Sequence, residues 1–284
     1  MAVPVKRSAA AEPTGVEAVE LELLIEAAGR VYGYDFRDYA RTSFRRRVAS
    51  IMQAEQVHTI SALQDRILHD RAAFERFLDG ISVNVSAMFR DPGFFQAFRT
   101  HAVPLLRTYP FIRIWQAGCS LGEEAYSLAI LLEEEGLYER TLIYATDINE
   151  STVRRAREGI FPADLMQKFT HNYLQSGGRR SFSEYYTARY DFAILRPTLQ
   201  RNIVFSQHNL VSDGTFNEFN VILCRNVMIY FNRALQERTH TLLHASLGMF
   251  GLLGLGARES LRLMPQERFY EPLVPGERLF RRIQ

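Results

Sequence analysis

Two textures of apolar spacing divide the chain. From Val16 to about Leu78, apolar residues recur every three or four positions: Val19, Leu23, Leu24 and Ala27; then Ala40, Phe44, Val48 and Ile51; then Leu63, Ile67 and Leu68; then Phe74, Phe77 and Leu78. This period predicts helices. Interruptions at Gly29, Gly33 and Thr59-Ile60-Ser61 split the stretch into about four short ones, with Ser61 as the N-cap of the third. After Asp79-Gly80 the period changes. Short apolar runs at 111–116, 141–146, 203–207, 219–224 and 252–255 predict strands, and helical patterns at 123–137, 150–158 and 233–250 fall between them. Such alternation is the mark of βαβ units on a parallel sheet. A further stretch at about 178–202 is aromatic and alternating, which predicts a small antiparallel insertion. The expected fold class is α/β, a Rossmann-like doubly wound domain at 93–284 with that β insertion. A flexible N-terminus at 1–15, a small all-helical domain at 16–80 and a linker at 81–92 precede it.

Composition narrows the partners. The 284 residues carry 34 basic and 32 acidic side chains, and 47% are hydrophobic. That balance excludes a disordered tail and gives no general basic surface for nucleic acid, so any basic docking site must be local. All but Lys6 and Lys168 of the basic residues are arginine. Cys119 and Cys224 each sit in an apolar run, so neither a disulfide framework nor a metal site is expected. No segment approaches the roughly 18 apolar residues of a membrane span, and the first residues lack the apolar core of a signal peptide. A monomer in the reducing cytoplasm, without membrane insertion, is the expectation.

The densest chemical signal lies where the strand ending at Gln116 meets Ala117-Gly118-Cys119-Ser120-Leu121-Gly122 and a helix opening with Glu123-Glu124. Strand, glycine turn and helix form a nucleotide-binding arrangement, because glycine permits close backbone approach and the helix start offers free N–H groups. Two glutamates there would repel a pyrophosphate, although they suit the helix dipole. The next strand ends in Asp147, where a doubly wound sheet places an acid against ribose hydroxyls. An adenosine ligand that carries positive charge instead of phosphates fits both features, and S-adenosylmethionine is one. A plain tight turn, with Asp147 capping the next helix, is the alternative.

These residues belong to a longer set. ISVNVSAMFRDPGFF at 81–95, AGCSLGEEAYSLA at 117–129, ATDIN at 145–149, GIFP at 159–162, HNL at 208–210 and ILCRNVMIYF at 222–231 together resemble the chemotaxis receptor methyltransferases called CheR. The resemblance covers nearly the whole chain and implies transfer of the methyl group of S-adenosylmethionine to glutamate side chains of methyl-accepting chemotaxis receptors. The products would be glutamyl methyl esters and S-adenosylhomocysteine, with no metal needed. It implies cofactor contacts at Asn84, Ser86, Arg90, Gly118, Glu123, Asp147, Asn209, Leu210, Arg225 and Asn226, and it makes Arg90 and Tyr230 the expected catalytic pair. The linker thereby contributes to the cofactor site, and the insertion corresponds to a β-subdomain that in some members binds a receptor C-terminal pentapeptide. Leu121 and Ala125 stand where threonine and proline are usual. Gly256-Ala257-Arg258-Glu259-Ser260 stands where the family often reads Gly-His-Ser-Glu-Ser, so a common histidine is missing.

The chemistry tolerates that loss. A glutamate acceptor with a reference pKa near 4.3 is ionised at neutral pH and needs no general base, so positioning is the catalytic task. Arg37, Arg41 and Arg45 are spaced four apart beside the apolar face of the second helix, and Arg46 and Arg47 add charge. The resemblance makes this basic stripe the docking surface for glutamate-rich receptor helices. Competing readings are a non-catalytic S-adenosylmethionine-binding scaffold of a signalling array and a small-molecule methyltransferase.

Overall fold

The computed structural model describes residues 15–82 and 86–284. Contacts divide the chain into two compact units, with the break between Ser82 and Val83. The first is helical: α1 (Val16–Tyr32), α2 (Arg41–Ala54), α3 (Ile60–His69) and α4 (Arg71–Ile81). Leu24, Ile25, Phe36, Phe44, Val48, Leu63, Ile67, Phe74 and Phe77 form its core. Two expectations change here. The face of α1 that packs inward carries Leu21, Leu24, Ile25 and Ala28, whereas Val19 and Leu23 are exposed. The N-cap of α3 is Thr59, whose side chain accepts from the Ala62 N–H at 3.0 Å. Ser61, the second residue of the helix, donates its hydroxyl to Glu20 instead.

The second unit begins with short helical segments, α5 (Pro92–Ala97) and α6 (Val103–Leu106), for which the apolar pattern made no prediction. There follow β1 (Ile112–Ala117), α7 (Glu123–Glu134), β2 (Thr141–Asp147), α8 (Glu150–Glu158), β3 (Ile160–Pro162), α9 (Met166–Gln175), β4 (Tyr186–Arg189) and β5 (Phe192–Leu195). The chain continues through β6 (Ile203–Gln207), β7 (Phe219–Cys224), α10 (Arg233–Ser246), β8 (Leu247–Leu255), β9 (Tyr270–Pro272) and β10 (Leu279–Arg282). Seven strands make the main sheet in the order β6-β2-β1-β7-β8-β10-β9. The first five pair in parallel, and β10 and β9 close the edge antiparallel. Chain order reverses between β1 and β7, so the crevice beyond their carboxyl ends is where a doubly wound sheet binds its ligand.

β1 is buried at every position but Arg113, and α7 is buried from Glu123 through Leu132, as a strand and helix inside a two-faced α/β layer must be. The insertion is a three-stranded sheet, β3-β5-β4, all antiparallel. It recruits Ile160–Pro162 from well before the expected start at 178. The helix expected to reach Phe250 stops at Ser246, because Leu247–Leu255 is already strand β8, and Phe250 bends it with φ +63°. Among the described residues, no helix is long and apolar enough to cross a membrane.

Candidate functional site

The turn after β1 is shaped by its own backbone. Thr146 C=O, at the end of the neighbouring β2, accepts from both Gly118 and Cys119 N–H at 2.8 Å, pulling the chain across the strand ends. Gly118 has φ +80°, and a Cβ there would lie 2.3 Å from Val227 Cγ2, so only glycine fits. Gly122, at φ +91°, caps α7. Ser120 adopts φ +51°, and its N–H donates to Asp147 Oδ2 at 2.9 Å, while the other carboxylate oxygen accepts from Asn149 N–H at 3.1 Å. Asp147 is thus not the cap of α8; Asn149 is, accepting from Ser151 and Thr152. Burial raises the Asp147 pKa, opposed by N–H groups of Ser120, Asn149 and Ile148. Two carboxylate oxygens offer about four acceptor directions, so room remains for further donors.

Glu123 is 3% exposed, and its Oε2 has no hydrogen-bond partner. Burial pushes its carboxyl up to about 7, with help from neighbouring Glu124 and against the N–H groups of Glu123 itself and Leu121. A helix N-terminus ordinarily favours ionised carboxylates, so desolvation outweighs the dipole here. Glu124 behaves differently, being ion-paired with Arg225.

Arg225, at the end of β7, is the bracket of the site. Its guanidinium, 1% exposed, also donates to Asp91 Oδ2 at 2.9 Å and to the Arg90 carbonyl at 3.2 Å, and it lies 4.1 Å from the Phe94 ring centroid. Through these bonds the side chain ties protein to protein, while its buried Nε has no hydrogen-bond partner. It holds the Ser86–Asp91 segment, which is also fixed by Phe89 N–H to Ser127 Oγ at 2.8 Å and by Asn172 to the Met88 carbonyl at 3.0 Å. Phe89 (φ +51°) and Asp91 (φ +58°) in this segment, Ser120 in the glycine turn and Asn226 (φ +62°) after β7 are four of eight non-glycine residues with positive φ among those described. Strain of this kind gathers where surrounding structure over-determines a functional loop.

Ser86, Arg90, Asn226 and Tyr230 are partly exposed, as are Asn209 and Leu210 after β6. The Asn209 side chain accepts from Val211 N–H at 2.9 Å, and the Asn209 backbone N–H donates to Asp213 Oδ2 at 2.8 Å, which folds the loop back on itself. Asn84 lies outside the described residues. Sequence reasoning missed Glu259. Its carboxylate accepts from Asn226 and Gly256 N–H on Oε2, at 2.8 and 2.7 Å, and from Val227 and Met228 N–H on Oε1, at 2.9 and 2.8 Å.

The helical unit's arginines separate. Arg37 precedes α2 and pairs with Asp35, so it is not part of a helical stripe. Arg45 pairs with Glu17 at 2.8 Å and Arg47 donates to the Ile81 carbonyl at 2.6 Å, while Arg41 and Arg46 are exposed on α2.

The family model for the CheR methyltransferase SAM-binding domain matches residues 84–273, and that for the CheR methyltransferase all-alpha domain matches 19–82. The chain belongs to the CheR methyltransferase family. It is 48% identical over 264 residues to the protein named Cher3 of Pseudomonas putida, covering 93% of this chain and 97% of that one. It is 29% identical to a chemotaxis protein methyltransferase of Listeria innocua, over 82% of this chain and 86% of that one. The corresponding enzyme of Salmonella typhimurium is also 29% identical, over 76% and 73%. The chain is a methyltransferase of the chemotaxis class, and its cofactor is S-adenosylmethionine. The residues present fit that group: Gly118 keeps the turn free of a side chain, Asp147 has acceptor capacity to spare, and the unpartnered Glu123 oxygen is a place for positive charge.

Proposed function

We propose that this CheR-family protein methylates glutamate side chains of methyl-accepting chemotaxis receptors, giving glutamyl methyl esters and S-adenosylhomocysteine. The observation that carries the reading is the convergence of the Arg90 segment, the glycine turn and the Asn226–Tyr230 segment at the carboxyl ends of β1 and β7, bracketed by Arg225. Bound S-adenosylmethionine supplies a methyl group made electrophilic by the adjacent sulfonium. Asp147 would accept from the ribose hydroxyls, with Ser86, Asn209, Leu210 and Asn226 lining the pocket. Glu123 would face the cofactor's positive charge. Arg90 would clamp a carboxylate, for which its planar fork is suited; the cofactor's own carboxylate is the favoured partner. The acceptor is already ionised, so Tyr230 needs only to donate a hydrogen bond that orients it.

Receptor docking in this reading falls to Arg37, Arg41 and Arg46, which are exposed, rather than to the full set with Arg45 and Arg47, which are partly buried and engaged with Glu17 and the Ile81 carbonyl. The test is incubation with methyl-labelled S-adenosylmethionine and receptor cytoplasmic fragments, followed by measurement of methanol released by base. Label that is base-labile and mapped to receptor glutamates supports the proposal. Cofactor binding without such label would instead favour a scaffold that has kept the fold and lost turnover.

A further inference from the structure

One carboxylate holds the inner edge of the segment that follows β7. Four backbone N–H groups, those of Asn226, Val227, Met228 and Gly256, converge two apiece on the oxygens of Glu259, which is 5% exposed. Three of the donors are consecutive, beginning at Asn226 with its left-handed φ of +62°. The Tyr230 N–H in turn donates to the Val227 carbonyl in the single helical turn Met228–Tyr230. Val227 also lies over Gly118, so the segment fixed by Glu259 forms one wall of the glycine turn. A second observation makes the clamp specific. A Cβ on Gly256 would fall 2.7 Å from Asn226 N, Asn226 Nδ2 and Glu259 Oε2 alike, so the backbone at 256 must be bare for the carboxylate to reach.

We propose that Glu259 is a positioning residue for methyl transfer: it sets the conformation of Asn226–Tyr230, and through it both a wall of the cofactor pocket and the placement of the Tyr230 hydroxyl. The inference rests on the reading of Asn226 and Tyr230 given above. It also accounts for the missing histidine of the Gly-His-Ser-Glu-Ser pattern. Ala257 is exposed in this structure, whereas the glutamate is buried and engaged; the acid carries the role. Glutamine cannot replace it, because its NH2 group would face two N–H donors and satisfy neither.

Glu259→Gln, Glu259→Asp and, as a control at the exposed neighbour, Arg258→Ala separate this role from plain stabilisation. Affinity for S-adenosylhomocysteine by calorimetry, which needs no acceptor, and turnover on receptor fragments at saturating cofactor are both read well below each variant's unfolding midpoint. The expected result for folded Glu259→Gln is affinity and kcat each lowered about tenfold or more, with Glu259→Asp between it and wild type and Arg258→Ala within about twofold. A Glu259→Gln protein whose midpoint falls while affinity and kcat stay within about twofold would make Glu259 purely structural and overturn the proposal. Should that variant fail to fold, Glu259→Asp decides by the same two quantities. If wild-type protein binds the product yet labels no receptor glutamate, the acceptor reading fails, and the calorimetric comparison still decides the role of Glu259.

Discussion

The turn after β1 and the segment after β7 form facing walls of one crevice but are held in opposite ways. The first is held by nearby chain and by what it lacks: Gly118 and Gly122 at positive φ, tied to the adjacent strand through Thr146 and Asp147. The second contains no glycine between Arg225 and Phe231, and it is held from afar. Glu259 reaches it from beyond β8, and Arg225 reaches out of it to Asp91 and Glu124. Backbone freedom shapes one wall and buried charge shapes the other. The first kind of constraint marks the local sequence; the second leaves no local mark.

The largest effect should come from the buried-charge wall. Arg225→Met leaves Glu124 and Asp91 without their cation, and breaking a buried pair by removing one partner costs about 3–5 kcal/mol. Urea unfolding should show that loss, and a cost below about 1 kcal/mol would mean that charge does not organise this wall. Gly118→Ala attacks the other wall, adding a left-handed alanine and a contact with Val227 that cannot be accommodated in place. A destabilisation of about 2–4 kcal/mol, with weaker product binding, is expected. Equal stability and affinity would show that Val227 gives way freely and that the turn is not a rigid wall.

A smaller effect concerns pH. The folded-state pKa of Glu123, about 7, lies above its ordinary 4.5. The native state therefore holds a proton that the unfolded chain has released. The contribution is fully present below about 4.5 and is lost as pH rises through 7, the reverse of a salt-bridged carboxylate. In ligand-free protein, Glu123→Gln should flatten this part of the stability–pH curve, measured by urea midpoints across the window. A curve parallel to wild type would mean that Glu123 is already ionised in the native state. Smallest of all is Ala257→His, which restores the family's usual residue at an exposed position. It should leave product affinity and turnover within about twofold; a gain beyond that would give the histidine a role that Glu259 does not cover.

This contrast also explains what the sequence made legible. β6 and β7 and helix α8 begin and end where their sequence patterns do, because each is a regular element bounded by a local break in the pattern. Gly118, Glu123 and Asp147 could be picked out because turn, helix start and strand end each impose a residue type locally. Arg225 could be named at its strand end, but not its ion-pair partners, which lie more than 100 residues away in the chain. Glu259 gave no signal beyond membership in a recurring pattern. The inward face of α1 was misjudged because apolar residues line two sides of that helix, and only packing against α3 and its neighbours selects Leu21, Leu24 and Ile25. β9 and β10 are three and four residues long, too short for alternation to stand out.

A crystal structure with S-adenosylhomocysteine tests the central claim most directly, that both walls close on one adenosine ligand. The account predicts the ligand beyond the carboxyl ends of β1 and β2, its ribose hydroxyls on Asp147 and its chain running over Gly118 toward Asn226. A ligand seated elsewhere, or with its ribose turned away from Asp147, would contradict it.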